Sequence, residues 1–203
     1  SFFDVFSSEY EDVSEYWVVE GDANSDFTGG TGELEAITYD VWVSPDGVDE
    51  TITTGTEEDP FKTIDYAMSR TYGTANDPIT IHLFGETYAP STNGEVFPIR
   101  MISNVNLIGQ GEEATILDAE QTDRVIKIDA CENNIISHLK ITGGGEIYQS
   151  RWMDDVKVGM FIYRSNPIIS HVTISGNWSG MLLHASNATL NHVTISESIY
   201  GMG

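Results

Sequence analysis

The chain has 203 residues, of which 40% are hydrophobic and 19 are glycine, a composition typical of a folded, turn-rich protein with a sizeable core. Its 32 acidic and 9 basic residues give a net charge of −23. Such an acidic surface repels nucleic acid and anionic lipid, so we expect neither nucleic-acid binding nor insertion into a membrane. No apolar run reaches the roughly 18–20 residues that span a bilayer, and the single cysteine, Cys131, excludes an internal disulfide and a cysteine zinc cluster.

The first part of the chain is strongly acidic. Residues 1–60 hold 17 of the 32 acids and no Lys or Arg. Residues 16–21 and 34–44 are rich in aromatic and β-branched residues and predict two strands, so we assign 1–40 to an acidic N-terminal β segment or extension. The opening SFFDVF has neither an initiator Met nor a basic leader, and we therefore expect a processed or trimmed product.

An acidic loop follows. Calcium takes six to eight oxygen ligands from carboxylates and carbonyls, and this loop supplies both on a backbone with glycine turns. The spacing is not that of an EF-hand, and a solvated acidic turn is the alternative reading. The five candidate metal ligands are Asp46, Asp49, Glu50, Glu57 and Asp59.

The next segment, DPFKTIDYAMSRTYG (59–73), changes to a helical period. Asp59 is the expected N-cap, Pro60 fits the first helical position and Gly73 can end the helix. We predict a short helix near 60–72 that covers the first turn of the structure that follows, since such ends otherwise expose unpaired strands.

The pentapeptide HVTIS occurs at 171–175 and again at 192–196, 21 residues later, and its flanks match in register. Each repeat holds three short alternating strands with no helix between them. Such a unit can form a coil that climbs one inter-strand spacing, about 4.8 Å, per turn. The repeat therefore predicts an all-β fold, a parallel β-helix with coils of about 21 residues.

Earlier coils are visible upstream. In NNIISHLKITGG, Leu139 and Ile141 take the positions of the repeated Val and Ile. In ISNVNLIGQG, we place Val105 and Leu107 in those same positions, one coil earlier. The β-helix is thus expected to extend over residues 41–203.

One large insertion interrupts the period. His138 and His171 are 33 residues apart, 12 more than one coil, and the surplus maps to a Gly-rich loop at 143–157. Insertions in repeat proteins often lie on the binding face. The chain ends at 201–203 on the first residues of another coil, so we expect an incomplete C-terminal end, or one covered end to end by another copy in a filament.

Three histidines share one repeat position. We expect His138, His171 and His192 to form a column at a corner between strands, with Asn104 beneath them in the preceding coil. The column is either a structural ladder of stacked polar residues or a column that binds a transition metal or other ligand.

Three segments resemble a known class of proteins. They are VWVSPDGVDETITTGTEEDPFKTIDYAM, GETYAPSTNGEVFPIRM and NVNLIGQGEEATILDA. They resemble the entry strand, cap helix and first coils of secreted right-handed parallel β-helix proteins of the pectate-lyase-like class. Within this class they resemble exported repeat proteins of bacteria. The resemblance covers 41–203 and implies a right-handed parallel β-helix. It does not imply one activity, because the class includes lyases, hydrolases, tailspikes and adhesins.

The resemblance also implies what a catalytic site would need. Polysaccharide lyases of this fold use an Arg or Lys base beside carboxylates that hold calcium. Lys140, Arg151 and Lys157 are the candidate bases, all weak, because no aspartates occupy matching positions around Lys140. The net charge of −23 also opposes an anionic polyuronate, so we favour a non-enzymatic role.

Aromatic residues in and after the insertion suggest a surface for sugar rings. Tyr148, Trp152 and Trp178 could form such a platform, and the alternative is that they anchor the loop by burying apolar area. We therefore expect a structural or adhesive module of a secreted or cell-surface protein that contacts polysaccharide or calcium, or self-associates. The alternative is a polysaccharide-active enzyme, a calcium-dependent lyase or a glycoside hydrolase, whose site is completed by further coils.

Overall fold

A computed structural model describes residues 37, 39–145, 158–198 and 200–202. The elements are α1 Ile64–Arg70 and the strands β1 Val41–Val43, β2 Ile79–Leu83, β3 Thr87–Tyr88, β4 Ile99–Arg100, β5 Val105–Ile108, β6 Ile116–Asp118, β7 Ile126–Asp129, β8 Ile135–Thr142, β9 Met160–Tyr163, β10 Ile168–Ser175, β11 Ser179–His184, β12 Thr189–Ser196 and β13 Tyr200–Met202. The predicted strand at 16–21 and most of the insertion lie outside the described residues. Within those ranges, no helix has the length and apolarity needed to cross a membrane.

The strands form two parallel sheets that wind as a β-helix. The first sheet has the order β1-β2-β5-β8-β10-β12, with β3 and β6 joined to it through β8, and the second has the order β13-β11-β9-β7-β4. Neighbouring strands belong to successive coils, and every pairing is parallel. The predicted parallel β-helix is confirmed.

The register confirms the 21-residue coil and the longer coil before it. Val172 pairs with Val193 on one side and with Leu139 on the other. The steps between these partners are 21 and 33 residues, so the 12-residue surplus falls between β8 and β9 as the sequence predicts.

Alternation builds the interior. In β10 the inward residues Ile169, Val172 and Ile174 are fully buried, at 0% exposure, and the same is true of the inward residues of β7, β8 and β9. Complete burial of one such side chain contributes about 1.5–3 kcal/mol. One core therefore runs along the axis, and each side chain stacks on its counterpart in the next coil.

The corners carry the left-handed backbone. His138, His171 and His192 have φ of 56°, 52° and 53°, and this residue interrupts the inward–outward alternation, so that Ile169 and Val172 on either side of His171 are both buried. At another corner the Ser165 hydroxyl accepts a hydrogen bond from the Cys131 amide at 2.9 Å, and the Ser186 hydroxyl accepts one from the Ser165 amide at 3.2 Å. Repeated sequence thus reflects repeated corner chemistry.

The position beneath His138 differs from the prediction. Ile108 pairs with Ser137, so Gly109, not Asn104, lies opposite His138. Asn104 instead accepts a hydrogen bond from the Asn133 side chain at 2.8 Å. The predicted alignment fails because β8 pairs with two short strands, β5 and β6, that are separated by a turn.

Because of the same turn, the predicted positions of Val105 and Leu107 relative to Leu139 and Ile141 are wrong. Leu107 pairs with Ile136, in the first half of β8, whereas Ile141 pairs with Leu117 of β6. From this turn the Glu112 carboxylate accepts a hydrogen bond from the Thr173 hydroxyl of β10. That contact joins a coil to the coil two turns later.

The N-terminal helix begins later than predicted. Its N-cap is Thr63, whose hydroxyl accepts a hydrogen bond from the Tyr66 amide at 3.1 Å, and its last residue is Arg70. The predicted cap, Asp59, precedes Phe61, which is fully buried and forms an extended bridge with Val43. Because Phe61 has an extended backbone, the helix begins only after this residue.

A buried carboxylate also binds the start of α1. Glu95, 2% exposed, accepts hydrogen bonds from the Ile64 amide at 2.8 Å and the Asp65 amide at 3.0 Å. Burial raises the pKa of Glu95 from 4.5 to about 6, although the hydrogen bonds from these amides oppose the shift. Glu95 therefore ties the segment before β4 to the cap helix.

Candidate functional site

The predicted calcium ligands are engaged in local structure. The Asp49 carboxylate accepts hydrogen bonds from the Lys62 amide at 2.7 Å and from the Thr63 amide and hydroxyl at 3.2 and 2.6 Å. The Asp59 carboxylate accepts hydrogen bonds from the Thr54 amide at 2.8 Å and the Thr54 hydroxyl at 3.0 Å. Asp49 orders the helix start, and Asp59 closes the loop before it.

The remaining predicted ligands, Asp46, Glu50 and Glu57, are exposed to solvent. In the part of the chain that the structure describes, no group of three or more His, Cys, Asp or Glu residues could hold a metal ion. The five carboxylates are therefore not brought together, and calcium binding stays a prediction for experiment.

The histidine column is present and stacked. The ring centroids of His138 and His171 are 4.8 Å apart at an interplanar angle of 11°, and those of His171 and His192 are 4.8 Å apart at 6°. Imidazole lone pairs lie in the ring plane, so parallel stacked rings do not direct their nitrogens at one metal ion. The geometry favours the structural ladder over the metal column.

Of the three candidate bases, the structure describes Lys140. Lys140 pairs in register with Ile116 on one side and Thr173 on the other, so no carboxylate occupies the adjacent positions. Arg151 and Lys157 lie outside the described residues. The nearest carboxylate that the described contacts place on this face is that of Glu112, which accepts a hydrogen bond from the Thr173 hydroxyl, and Lys140 and Thr173 are register partners.

Of the three predicted sugar-binding aromatics, Tyr148 and Trp152 lie outside the described residues. Trp178 is half-buried, and its amide donates a hydrogen bond to the Gly144 carbonyl at 3.0 Å, at the base of the insertion. Asn177, beside it, accepts a hydrogen bond from the Gly144 amide at 2.8 Å. Trp178 therefore lies where the insertion leaves the coil.

A different group of side chains lines the outer face of the second sheet. Asp129, Tyr163 and His184 are register partners on three successive strands, so they form one row along the helix axis. The rings of Tyr163 and His184 stack with centroids 5.4 Å apart and 9° between their planes. The guanidinium of Arg164 lies 4.9 Å from the centroid of the Tyr163 ring.

A second row runs beside the first. Arg100, Lys127 and Phe161 are register partners, and the Lys127 ammonium contacts the Asp129 carboxylate at 2.8 Å. Arg124 lies over the Phe161 ring, 4.9 Å from its centroid. We refer to Lys127, Asp129, Tyr163, Arg164 and His184 as the second-sheet strip.

The strip differs in charge from the rest of this acidic protein. Seven Lys and Arg residues lie in the described ranges, and four of them are on or beside this face. Those four are Arg100, Arg124, Lys127 and Arg164. Two of the four contact carboxylates: Arg124 Nε lies 3.7 Å from Asp123, and the Lys127 ammonium contacts Asp129. Most of the described basic residues of a chain with a net charge of −23 therefore lie at this face.

Sequence reasoning missed this face. The sequence signal was the alternation in IKIDA (126–130) and MFIYR (160–164). In the first segment an inward isoleucine separates Lys127 from Asp129, and in the second an inward isoleucine separates Phe161 from Tyr163. The alternation indicates which side chains point outward. It does not show that residues 34 positions apart, such as Asp129 and Tyr163, are neighbours until the insertion between them is removed.

Comparison with known proteins places the chain in a family. Among curated proteins, none matches it. Among solved structures, a point mutant of pectin methylesterase in complex with a hexasaccharide aligns with a TM-score of 0.46 and 17% identity, over 76% of this chain and 50% of that one. The chain thus spans half the length of that structure. The family model described as "protein of unknown function (DUF1565)" matches residues 46–200, and the chain belongs to this family.

Proposed function

We propose that the chain is a non-catalytic, adhesive β-helix module of a secreted or cell-surface protein and that its second-sheet strip contacts carbohydrate. The observation that carries the proposal is a row of aromatic and charged side chains in which the half-buried Tyr163 stacks on the exposed His184 and also contacts the exposed Arg164. The fold supports such a row, because the register partners Asp129, Tyr163 and His184 lie on paired strands of successive coils.

The chemistry of the strip suits a sugar chain. Aromatic side chains offer apolar surface for the C–H faces of sugar rings, and their polar tips can bind hydroxyl groups. Guanidinium, imidazole, ammonium and carboxylate groups stand next to these rings and supply both donors and acceptors. Successive register positions repeat about every 4.8 Å along the axis, so an extended polymer lying along the axis could meet several of them.

The arrangement supports binding more than cleavage. Glycoside hydrolysis needs two carboxyl groups about 5–9 Å apart. In the row that carries Tyr163, the register partners supply one carboxylate, that of Asp129, and the Lys127 ammonium already contacts it at 2.8 Å. The lyase candidate Lys140 lies on the other sheet, between Ile116 and Thr173.

The test is glycan binding by the full chain and by matched variants. We expect binding to at least one neutral or charged polysaccharide on an array, followed by calorimetry with oligosaccharides of that polymer. Tyr163→Ala and Arg164→Ala should each weaken binding about tenfold or more, which corresponds to about 1.4 kcal/mol. Tyr72→Ala is the control, because Tyr72 is 63% exposed and lies outside the strip.

Several outcomes would contradict the proposal. These are an array without binding, or an equal loss of affinity in Tyr72→Ala and Tyr163→Ala. Incubation with the bound glycan should leave the polymer intact. New reducing ends or an unsaturated uronate product would show that the module is an enzyme.

A further inference from the structure

The outer face of the first sheet carries a second group of aromatic side chains, next to a carboxylate. Trp42 stacks on His82 with ring centroids 4.7 Å apart and 24° between the planes, and Phe84 lies 5.2 Å from Trp42 at a tilt of 42°. The Asp40 carboxylate is 3.3 Å from His82 Nε2. We refer to Asp40, Trp42, His82 and Phe84 as the Trp42 patch.

The strands fix the positions of these side chains. Val41 and Val43 of β1 are fully buried, so Trp42 between them points outward. Ile81 and Leu83 of β2 are likewise fully buried, which places His82 outward, and Trp42 and His82 are register partners. Because both rings stand on paired strands, the patch is held in place without a ligand.

The carboxylate is held in place as well. One Asp40 oxygen accepts a hydrogen bond from the Thr80 amide at 2.8 Å, and the other faces His82. The Asp40 side chain is nevertheless 54% exposed and the His82 side chain 30% exposed. A ligand that reaches the rings therefore also meets the carboxylate.

The electrostatic surroundings favour a positive ligand. No Lys or Arg occurs in residues 1–61, whereas Asp46, Glu50, Glu57 and Glu58 are exposed in the loop that follows β1. Backbone hydrogen bonds join this loop to β1, since the Trp42 amide donates to the Gly55 carbonyl at 2.7 Å. The cation–π contacts of the described residues use the rings of Tyr66, Phe161 and Tyr163, not those of the Trp42 patch.

We propose that the Trp42 patch binds an organic cation, the ammonium group of a small molecule. Trp is the best cation–π partner among the side chains, and aromatic residues are the usual means of recognising quaternary ammonium groups. The carboxylate of Asp40 adds a Coulomb attraction that no neutral ligand receives. A bare metal ion is a poorer fit, because in the described part of the chain Asp40 belongs to no group of three or more His, Cys, Asp or Glu residues that could hold one.

This site is independent of the proposed carbohydrate contact. The two surfaces share no residue, and they lie on different sheets. Failure of glycan binding at the second-sheet strip would leave the cation site standing, and the reverse also holds.

The experiment titrates the full chain with choline chloride and, in parallel, with 3,3-dimethylbutan-1-ol, which has the same shape without the charge. Indole N–H resonances in ¹H–¹⁵N spectra report on the rings, and the Trp42→Phe variant identifies the Trp42 signal. Sodium chloride at matched ionic strength controls for salt. We expect choline to shift the Trp42 resonance in a saturable manner and the neutral alcohol to leave it unchanged.

Two variants test the assignment of residues. Asp40→Asn keeps an oxygen that can accept the Thr80 amide but removes the charge, and it should weaken choline binding about 2- to 5-fold. Trp178→Phe is the matched control and should bind choline like the natural chain. Equal shifts with choline and the alcohol, no shift with choline, or unchanged affinity in Asp40→Asn would each overturn the proposal.

Discussion

His171 combines two requirements at one position. Its backbone has φ of 52°, a left-handed conformation that β-branched residues rarely adopt. Its ring stacks between those of His138 and His192 at 4.8 Å on each side. A polar residue that tolerates the left-handed region and can stack is therefore favoured at each turn.

Replacement of His171 separates these two contributions. We expect His171→Asn to be mildly destabilising, because Asn tolerates positive φ but loses the ring stack. His171→Val should lower the free energy of unfolding by a further ~1–2 kcal/mol because of the backbone conformation. Urea denaturation of the two variants checks this order, and equal stability would show that φ is not the constraint.

Glu95 predicts a dependence of stability on pH. Burial raises its pKa from 4.5 to about 6 in the folded protein, so the folded state holds the proton more tightly than the unfolded state. The stabilisation that this group provides is complete below about pH 4.5 and is lost as the pH rises through about 6. Over that window the loss amounts to about 2 kcal/mol.

The Glu95→Gln variant isolates this contribution, because Gln does not titrate. Urea midpoints of both proteins should be measured between pH 4 and pH 7.5. We expect the stability of the natural chain, relative to that of the variant, to fall across the window. A relative stability that is flat or rises with pH would contradict the expectation.

At the scale of elements, α1 has two candidate N-cap residues in the sequence, and a tertiary contact decides between them. Both Asp59 and Thr63 are acceptable N-caps in DPFKTI. The structure uses Thr63 because the buried Phe61 is needed as an extended residue beside Val43. Local capping rules could not reveal this, since the partner of Phe61 is 18 residues earlier in the chain.

The cap itself is testable by substitution. Thr63→Ala removes the hydroxyl that accepts from the Tyr66 amide and donates to the Asp49 carboxylate at 2.6 Å. We expect a loss of about 1–2 kcal/mol in the free energy of unfolding. Thr63→Ser keeps both hydrogen bonds and should recover most of the loss, which differential scanning calorimetry can measure. Equal losses in the two variants would exclude capping as the cause.

Strands were predictable where one repeat follows another without interruption. The register of β10 with β12 follows from HVTIS alone, because the period is 21 in both halves of the strand. The register of β5 with β8 could not be predicted in this way, because the turn at 109–115 separates β5 from β6 and both of these short strands pair with the long strand β8. The candidate site depends on such registers, and so its residues could not be assembled from the sequence.

At the scale of the whole molecule, charge is the dominant feature. A net charge of −23 means that the compact state suffers self-repulsion, which salt screens. The Debye length falls from about 30 Å at 10 mM salt to about 10 Å at 100 mM. We expect sodium chloride over this range to raise the melting temperature by about 2–4 °C.

The same measurement tests the predicted calcium site. Calcium and magnesium chloride at matched ionic strength screen charge equally, so they should raise the melting temperature equally if the carboxylates of the acidic loop only form local hydrogen bonds. A larger rise with calcium, lost in Glu57→Gln, would support a calcium site. An absence of any salt effect would contradict the assumed self-repulsion.

The contact between Glu112 and Thr173 has a mechanical consequence. In a simple stack each coil is held by its two neighbours, and a chain pulled from one end unravels coil by coil. Here the Glu112 side chain reaches past the intervening strand β8 to the hydroxyl of Thr173. Under tension applied at the C-terminal end, β13 and β12 should peel first, and β10 should resist until this side-chain tether gives way. Force spectroscopy would record the tether as a pause, and Glu112→Ala would remove it.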